Sequence, residues 1–403
     1  MKKITALLLV FFLVSGLAAS AWAQEADVLN RNVGMFSQKL FLQALKSGEK
    51  NIVISPVSAY FALSMAAAGA QGKTLSEFST VLGADGEKLA AYCVSLTDQL
   101  MKTQKSTILI AANSGWIDEG FQIDPAYLKS ISSGKNAEVF SRDLNTDQTR
   151  DEINAWVKGK TSGLIPTLLD QNLAEETVLA LINTLYFKAK WHNPFEANDT
   201  HERAFTREDG SNVTVPFMSD WHSSRDYISG DGVEGILLPY DDGKTGFVAL
   251  RATDEKSAQE LAGALTADLL NQYIANAQYT DVRLSMPKFT LDYKMTMNDA
   301  LAAIGLGQAF DPVLADFSGM GKSTRGNIYL SRVLQKVRIG VNEEGTEAAA
   351  ATIIDMLEGA AMPAEDPVEL ILDTPFVYAV VDLASGIPLF IGCMDDPVLS
   401  AQE

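Results

Sequence analysis

The residue types that carry most enzyme chemistry are scarce in this chain. Its 403 residues include two cysteines and three histidines. The histidines, His192, His201 and His222, read as loop or surface residues. No H-E-x-x-H, C-x-x-C or G-x-S-x-G occurs, so zinc hydrolysis and an elbow-type serine nucleophile lack their residues. Cys93 in "AAYCVSL" and Cys393 in "LFIGCMDDP" sit in apolar settings and read as buried thiols rather than a bridge. Their number leaves the fold to be held by its core. Positive charge is also short, with 32 Lys and Arg against 51 Asp and Glu, a formal charge of −19. That balance gives no general attraction for nucleic acid or anionic membranes. Repeats, low-complexity tracts and linker-like composition breaks are missing as well. "SGMGKS" (318–323) resembles the end of a phosphate-binding loop, but the first glycine the loop requires is replaced by Asp316. Asp241 and Asp242 in "YDDGKTG" hint at a cation and read more simply as an acidic turn. Neither a cofactor nor a metal is expected.

What is present begins with a secretory signal. Lys2 and Lys3 precede the apolar run "ITALLLVFFLVSGLAA", and Ala21 and Ala23 place small residues before Gln24. The run is short for a membrane anchor, and no cysteine stands at the cut for lipid attachment. The reading is a signal peptide over 1–23 and one domain over 24–403, secreted or periplasmic. Cleavage removes two lysines and no acid, taking the formal charge to −21. Helical periodicity dominates early, in "VGMFSQKLFLQAL", "SAYFALSMAAAGA" and "TRDEINAWVKGKT". Strand-like runs follow: "TVLALINTLYFKAKW", "GVEGILLPY", "TGFVALRA", "YTDVRLSMPKF" and "ELILDTPFVYAVVDLASGIPLFIGC", the last turning at "ASG". Helices first and strands later indicate an α+β domain.

One segment obeys two rules at once. In "GTEAAAATIIDMLE" (345–358) Thr346 stands as a helix N-cap ahead of four alanines, with Gly359 as the stop. As a strand, Thr346, Ala348, Ala350, Thr352, Ile354 and Met356 form one uncharged face, while Glu347 and Asp355 fall on the other.

A resemblance accounts for it. "NIVISPVSAYFALSMAAAGAQGKT", "INTLYFKAKWHNPF", "VPFM", "LPY", "MPKF", "DFSGM", "LSRVLQKVRIGVNEEGTEAAAAT" and "PFVYAVVDLASGIPLFIGCMDDP" resemble serpin blocks, in serpin order, over roughly residues 27–398. The serpins are serine protease inhibitors that act by loop insertion. The resemblance implies helices packed around three β-sheets and an exposed reactive-centre loop, here about 343–367. It implies a target protease, of serine or cysteine type, that cuts the loop as substrate. The N-terminal side of the cut loop then enters the main sheet as a new strand. Such a segment needs an uncharged inward face and no proline, and the first proline after Gly345 is Pro363. The expected protein is a monomeric suicide inhibitor. The competing expectation is a non-inhibitory serpin used for binding, storage or chaperoning, and the clean alanine run favours the inhibitor.

Site residues follow from the same resemblance. The hinge comprises Glu343, Gly345, Thr346, Ala348, Ala349 and Ala350. Lys288 is matched to Glu343 as the pair holding the top of the sheet, with Trp191 packed beside it. Ser55, Ser58 and Asn183 are matched to the polar cluster beneath the sheet centre. Gln335 stands where inhibitory relatives often carry histidine, and it can still donate and accept. Counting forward from Glu343 puts the reactive bond at Gly359–Ala360; counting back from Pro375 and Phe376 favours Ala361 or Met362. No Arg or Lys lies between Glu343 and Phe376, which disfavours trypsin-like targets and suits elastase-like or subtilisin-like pockets.

Overall fold

The computed structural model describes residues 26–100, 107–132, 137–323, 326–346 and 366–398. The expected signal segment and loop residues 347–365 lie outside the described residues.

The chain opens with helix α1 (26–45), which buries Leu29, Val33, Phe36, Leu40 and Ala44 at helical spacing. Strand β1 (Ile52–Ile54) follows, then α2 (Pro56–Ala67), begun by a proline whose missing N–H is not needed there. Apart from Ser64, α2 is buried on every side, so it is a core helix rather than an amphipathic one. Next come α3 (Gly72–Leu82), α4 (Gly86–Leu100), β2 (Ile108–Asp118), β3 (Phe121–Ile123), α5 (Pro125–Ser132), β4 (Ala137–Arg142) and α6 (Asp147–Lys160). The Thr146 hydroxyl caps α6 by accepting from the Thr149 N–H. Strands then dominate: β5 (Leu179–Lys190), β6 (His201–Thr206), β7 (Asn212–Gly230), β8 (Val233–Pro239) and β9 (Thr245–Ala252). After α7 (Ala258–Ala264) and α8 (Ala267–Ala275) run β10 (Gln278–Pro287), β11 (Phe289–Thr296) and the short α9 (Asn298–Leu301). The chain continues through β12 (Gly321–Ser323), β13 (Arg332–Asn342), β14 (Gly345–Thr346), β15 (Val368–Ile371), β16 (Phe376–Asp382) and β17 (Pro388–Met394).

These strands form three sheets. A six-stranded sheet has the order β11-β13-β14-β5-β2-β4. A nine-stranded one runs β1-β17-β16-β9-β8-β7-β10-β15, with β6 added on β7, and β3 pairs with β12 alone. The architecture is α+β, with one main core cluster that takes in α2 and residues from both large sheets. The α2 helix packs against β5 and β2 of the six-stranded sheet and β17 of the other.

The order of helices and strands departs from the expectation. Strands β1 to β4 fall among the early helices, and α7 to α9 among the later strands. From Ala111 to Asp118 every residue of β2 is buried, so its stretch shows no alternation to betray a strand. "SGMGKS" ends in β12, paired antiparallel with β3, and no helix follows it as phosphate binding would require. Cys93 and Cys393 are both buried free thiols, and burial pushes each up to about 12. No helix among the described residues is long and apolar enough to cross a membrane.

Candidate functional site

Strands β5 and β13 are neighbours and parallel. They pair over six positions, from Ala180 opposite Arg332 to Leu185 opposite Val337. Above that ladder β14 sits between them, antiparallel to both. Thr346 lies opposite Val341 on one side and Ala189 on the other; Gly345 lies opposite Asn342 and Lys190. The parallel ladder stops at Leu185 and Val337, and the antiparallel ones start at Ala189 and Val341. Three positions on each strand separate them.

The turn from β13 into β14 is built by its own sequence. Asn342 Oδ1 accepts from the backbone N–H groups of Glu344 at 3.0 Å and Gly345 at 3.2 Å. Gly345 has φ +153°, and a Cβ there would stand 2.0 Å from the Ala189 carbonyl oxygen. Only glycine fits at that position.

Side chains from three separate connecting segments clamp this turn. Lys288 Nζ donates to Glu343 Oε2 at 2.8 Å, and Thr200 Oγ1 donates to Oε1 at 2.9 Å. Burial would raise the Glu343 carboxyl, but the Lys288 hydrogen bond, its own backbone and Thr200 together hold it below its ordinary value of 4.5. Trp191 Nε1 donates to the Asn342 carbonyl at 2.8 Å, while the Trp191 N–H reaches the Glu344 carbonyl at 2.9 Å. The Phe195 N–H donates to the Glu343 carbonyl at 2.9 Å. The Trp191 ring stacks on Tyr240, centroids 4.8 Å apart. The Tyr240 hydroxyl in turn meets Thr346 Oγ1 at 2.5 Å. Desolvation drives the Tyr240 phenol well above its ordinary value, so it stays protonated. Thr346 is 1% exposed, and its hydroxyl faces the buried Tyr240.

Lower down, a buried polar cluster joins the two parallel strands to α2. Gln335 and Asn183 are register partners. Gln335 Nε2 donates to Asn183 Oδ1 at 2.7 Å and to the Ser55 carbonyl at 2.9 Å; its Oε1 accepts from the Ser55 N–H at 2.9 Å. Asn183 Nδ2 donates to the carbonyl and hydroxyl of Ser58 and to Asn113 Oδ1. All five residues are at most 3% exposed. Ser55 takes part through its backbone alone, since its hydroxyl is buried without a partner.

Of the residues singled out in the sequence, two groups are therefore assembled: Glu343, Lys288 and Trp191 at the top of the sheet with Gly345 and Thr346, and Ser55, Ser58, Asn183 and Gln335 beneath it. The two groups are not in contact through any hydrogen bond among the described residues. Ala348, Ala349, Ala350, Gly359, Ala360, Ala361 and Met362 lie outside the described residues. Sequence reasoning missed Tyr240, Thr200 and Asn113. A signal for Asn113 existed, because "AANSG" sets a polar side chain in a buried run. For Tyr240 and Thr200 none did, as their roles arise from contacts distant in sequence.

Comparison with known proteins gives the same outline. The profile of one family, Serpin (serine protease inhibitor), matches residues 31–397. An uncharacterized serpin-like protein of Thermococcus kodakarensis is 31% identical over 381 residues, covering 93% of this chain and 87% of that one. Among solved structures, the thermophilic serpin Tengpin in its native state superposes with a TM-score of 0.85 at 34% identity, covering 91% of this chain and 94% of the other. Tengpin in its latent state gives 0.78 at 32% identity, covering 91% and 97%.

Proposed function

The chain belongs to the serpin family, and from that premise we propose that it is a secreted or periplasmic, monomeric suicide inhibitor of serine or cysteine proteases. Members of the family are typically protease inhibitors rather than enzymes. The proposed target cuts the reactive-centre loop at Gly359–Ala360, or at Ala361 or Met362, and the segment from Thr346 onward enters the six-stranded sheet between β5 and β13. The observation that carries this reading is β14. Two hinge residues already occupy the top of that position, antiparallel to both neighbours, with Thr346 facing inward. Continuing the same alternation turns Ala348, Ala350, Thr352, Ile354 and Met356 inward, and none of them is charged or a proline.

Magnitudes support the mechanism. Thr346 to Leu357 is twelve residues, a strand of roughly 40 Å. At a net ~1 kcal/mol per ladder hydrogen bond, its insertion releases on the order of 10 kcal/mol before side-chain burial is counted. That is comparable to the whole stability of an ordinary domain. The uncut state then persists by a kinetic barrier.

The test is incubation of the mature protein with chymotrypsin-, elastase-, subtilisin- and trypsin-like proteases. An SDS-resistant complex with an elastase- or subtilisin-like enzyme, and a new N-terminus between 358 and 363, is expected. Cleavage by all of them without any complex would overturn inhibition and leave the binding, storage or chaperone role.

A further inference from the structure

The nine-stranded sheet carries a small polar cavity that the loop mechanism does not use. About 20 Å³ in volume, it lies where the last turn of α4, the residue before β2, the β8–β9 turn and the end of β16 meet, and its polar lining is Gln99, Thr107, Asp242, Lys244, Thr245 and Asp382. Asp382 is 5% exposed, Thr107 6% and Thr245 7%.

The hydrogen bonds around it leave an excess of oxygen. Asp382 Oδ2 accepts from Gln99 Nε2 at 3.1 Å, the Ser385 N–H at 2.9 Å and Ser385 Oγ at 2.6 Å. Asp242 Oδ1 accepts from the N–H groups of Lys244 and Thr245, and its Oδ2 accepts from Thr245 Oγ1 at 2.9 Å. Among the described residues, no donor reaches Asp382 Oδ1 or Gln99 Oε1. The Thr107 hydroxyl is buried with no hydrogen-bond partner. Neither carboxylate forms an ion pair with a described residue, and Lys244, exposed at its side chain, pairs with neither.

We propose that this cavity is a cation site and that its occupant is calcium. Two carboxylates, an amide oxygen and a hydroxyl converge from four segments of chain, an all-oxygen set that suits a hard cation. Histidine and cysteine are absent among the described lining residues, which argues against zinc and the softer transition metals. Magnesium demands a near-ideal octahedron and gives up water reluctantly, whereas calcium accepts irregular oxygen cages. The volume exceeds the ~10–15 Å³ that a water-sized occupant needs. A water alone would satisfy Thr107 but would leave the buried Asp382 and half-buried Asp242 carboxylates without a cationic partner among the described residues. With only two carboxylates, the affinity belongs in the extracellular range, Kd on the order of 10⁻⁴–10⁻³ M. The bound ion would tie the C-terminal end of α4 to the ends of β8 and β16.

Calorimetric titration of the mature protein with calcium chloride tests this. A chain this acidic gathers calcium diffusely, so Glu255→Gln, an exposed acid outside the cavity, serves as the control. One saturable site is expected, unchanged in Glu255→Gln and weakened at least about tenfold in both Asp382→Asn and Asp242→Asn, each of which removes charge at constant size. Thr107→Val should weaken it several-fold. No saturable heat up to about 10 mM calcium, well above the expected Kd, overturns the site. An affinity unchanged from the parent protein in either Asn variant does the same. A magnesium titration with the same affinity and the same variant dependence would overturn the assignment to calcium.

Discussion

At the scale of single residues, Gln335 is what ties β13 into the polar cluster. Its amide bonds three groups at once: it accepts from the Ser55 N–H and donates to the Ser55 carbonyl and the Asn183 side-chain oxygen. Gln335→Leu keeps similar bulk and leaves the Ser55 N–H and the Asn183 Oδ1 buried without a partner, while the Ser55 carbonyl keeps the Ala59 N–H. Each such group costs about 1–3 kcal/mol, so unfolding of the uncut protein in urea should show a loss of roughly 2–5 kcal/mol. Ser55→Ala removes a hydroxyl that bonds nothing and should change stability by less than about 0.5 kcal/mol. Equal losses in the two variants would mean that the cluster is held by packing rather than by the Gln335 amide. The Gln335–Asn183 bond also spans the two strands between which the loop is proposed to enter. Any parting of β5 from β13 at that level must break it.

At the scale of elements, the exchange proposed for the six-stranded sheet is one parallel ladder for two antiparallel ones. Six register pairs between β5 and β13 would be lost. A central strand antiparallel to both neighbours would replace them, and antiparallel pairing is slightly the more stable per residue. Cutting the loop anywhere between Leu357 and Ala361 should therefore raise the melting temperature by about ten degrees or more. The ~10 kcal/mol of added ladder bonds corresponds to roughly 13 °C in a domain of this size, before side-chain burial is counted. Differential scanning calorimetry of cut and uncut protein measures it, and an unchanged transition after verified cleavage would favour a non-inhibitory role. Elements were also where the sequence was most and least legible. β8, β9, β10 and β16 show as apolar runs bounded by turns, and β5 as a long apolar run. The "ASG" turn is real: Ser385 bonds Asp382, and Gly386 takes φ +69°. β2 was hidden by burial on both faces. In the 345–358 segment the sequence satisfied helix and strand alike, and what decides its first two residues is the pair of strands on either side. The clamp on Glu343 was legible through Lys288 but not through Thr200, which joins it from a loop 143 residues away.

At the scale of the whole molecule, the proposed mechanism puts specificity in the loop and the driving force in the scaffold. The two can then be changed separately. Gly359→Arg lies beyond the inserting segment and offers a cation to a trypsin-like pocket, so trypsin inhibition should appear, with at least a tenfold loss against elastase-like enzymes. Inhibition rates and stoichiometry for both protease classes measure this. If Met362→Arg makes the switch and Gly359→Arg does not, the bond lies nearer the C-terminal end of the loop. Should neither variant inhibit trypsin although both are cut, the loop is bait without a trap. The far side of the loop carries its own consequence. Strand β15 is held at the edge of the nine-stranded sheet by four parallel pairs with β10, from Val368 opposite Val282 to Ile371 opposite Ser285. With Thr346 fixed at one end and Val368 at the other, the intact chain is a tether of finite contour. On the proposed mechanism it would not run the length of the six-stranded sheet unless its distal anchor were stripped away. Proteolysis would sever that tether directly; without it, the waiting time of the uncut protein would be set by how often a four-residue edge strand peels off the nine-stranded sheet.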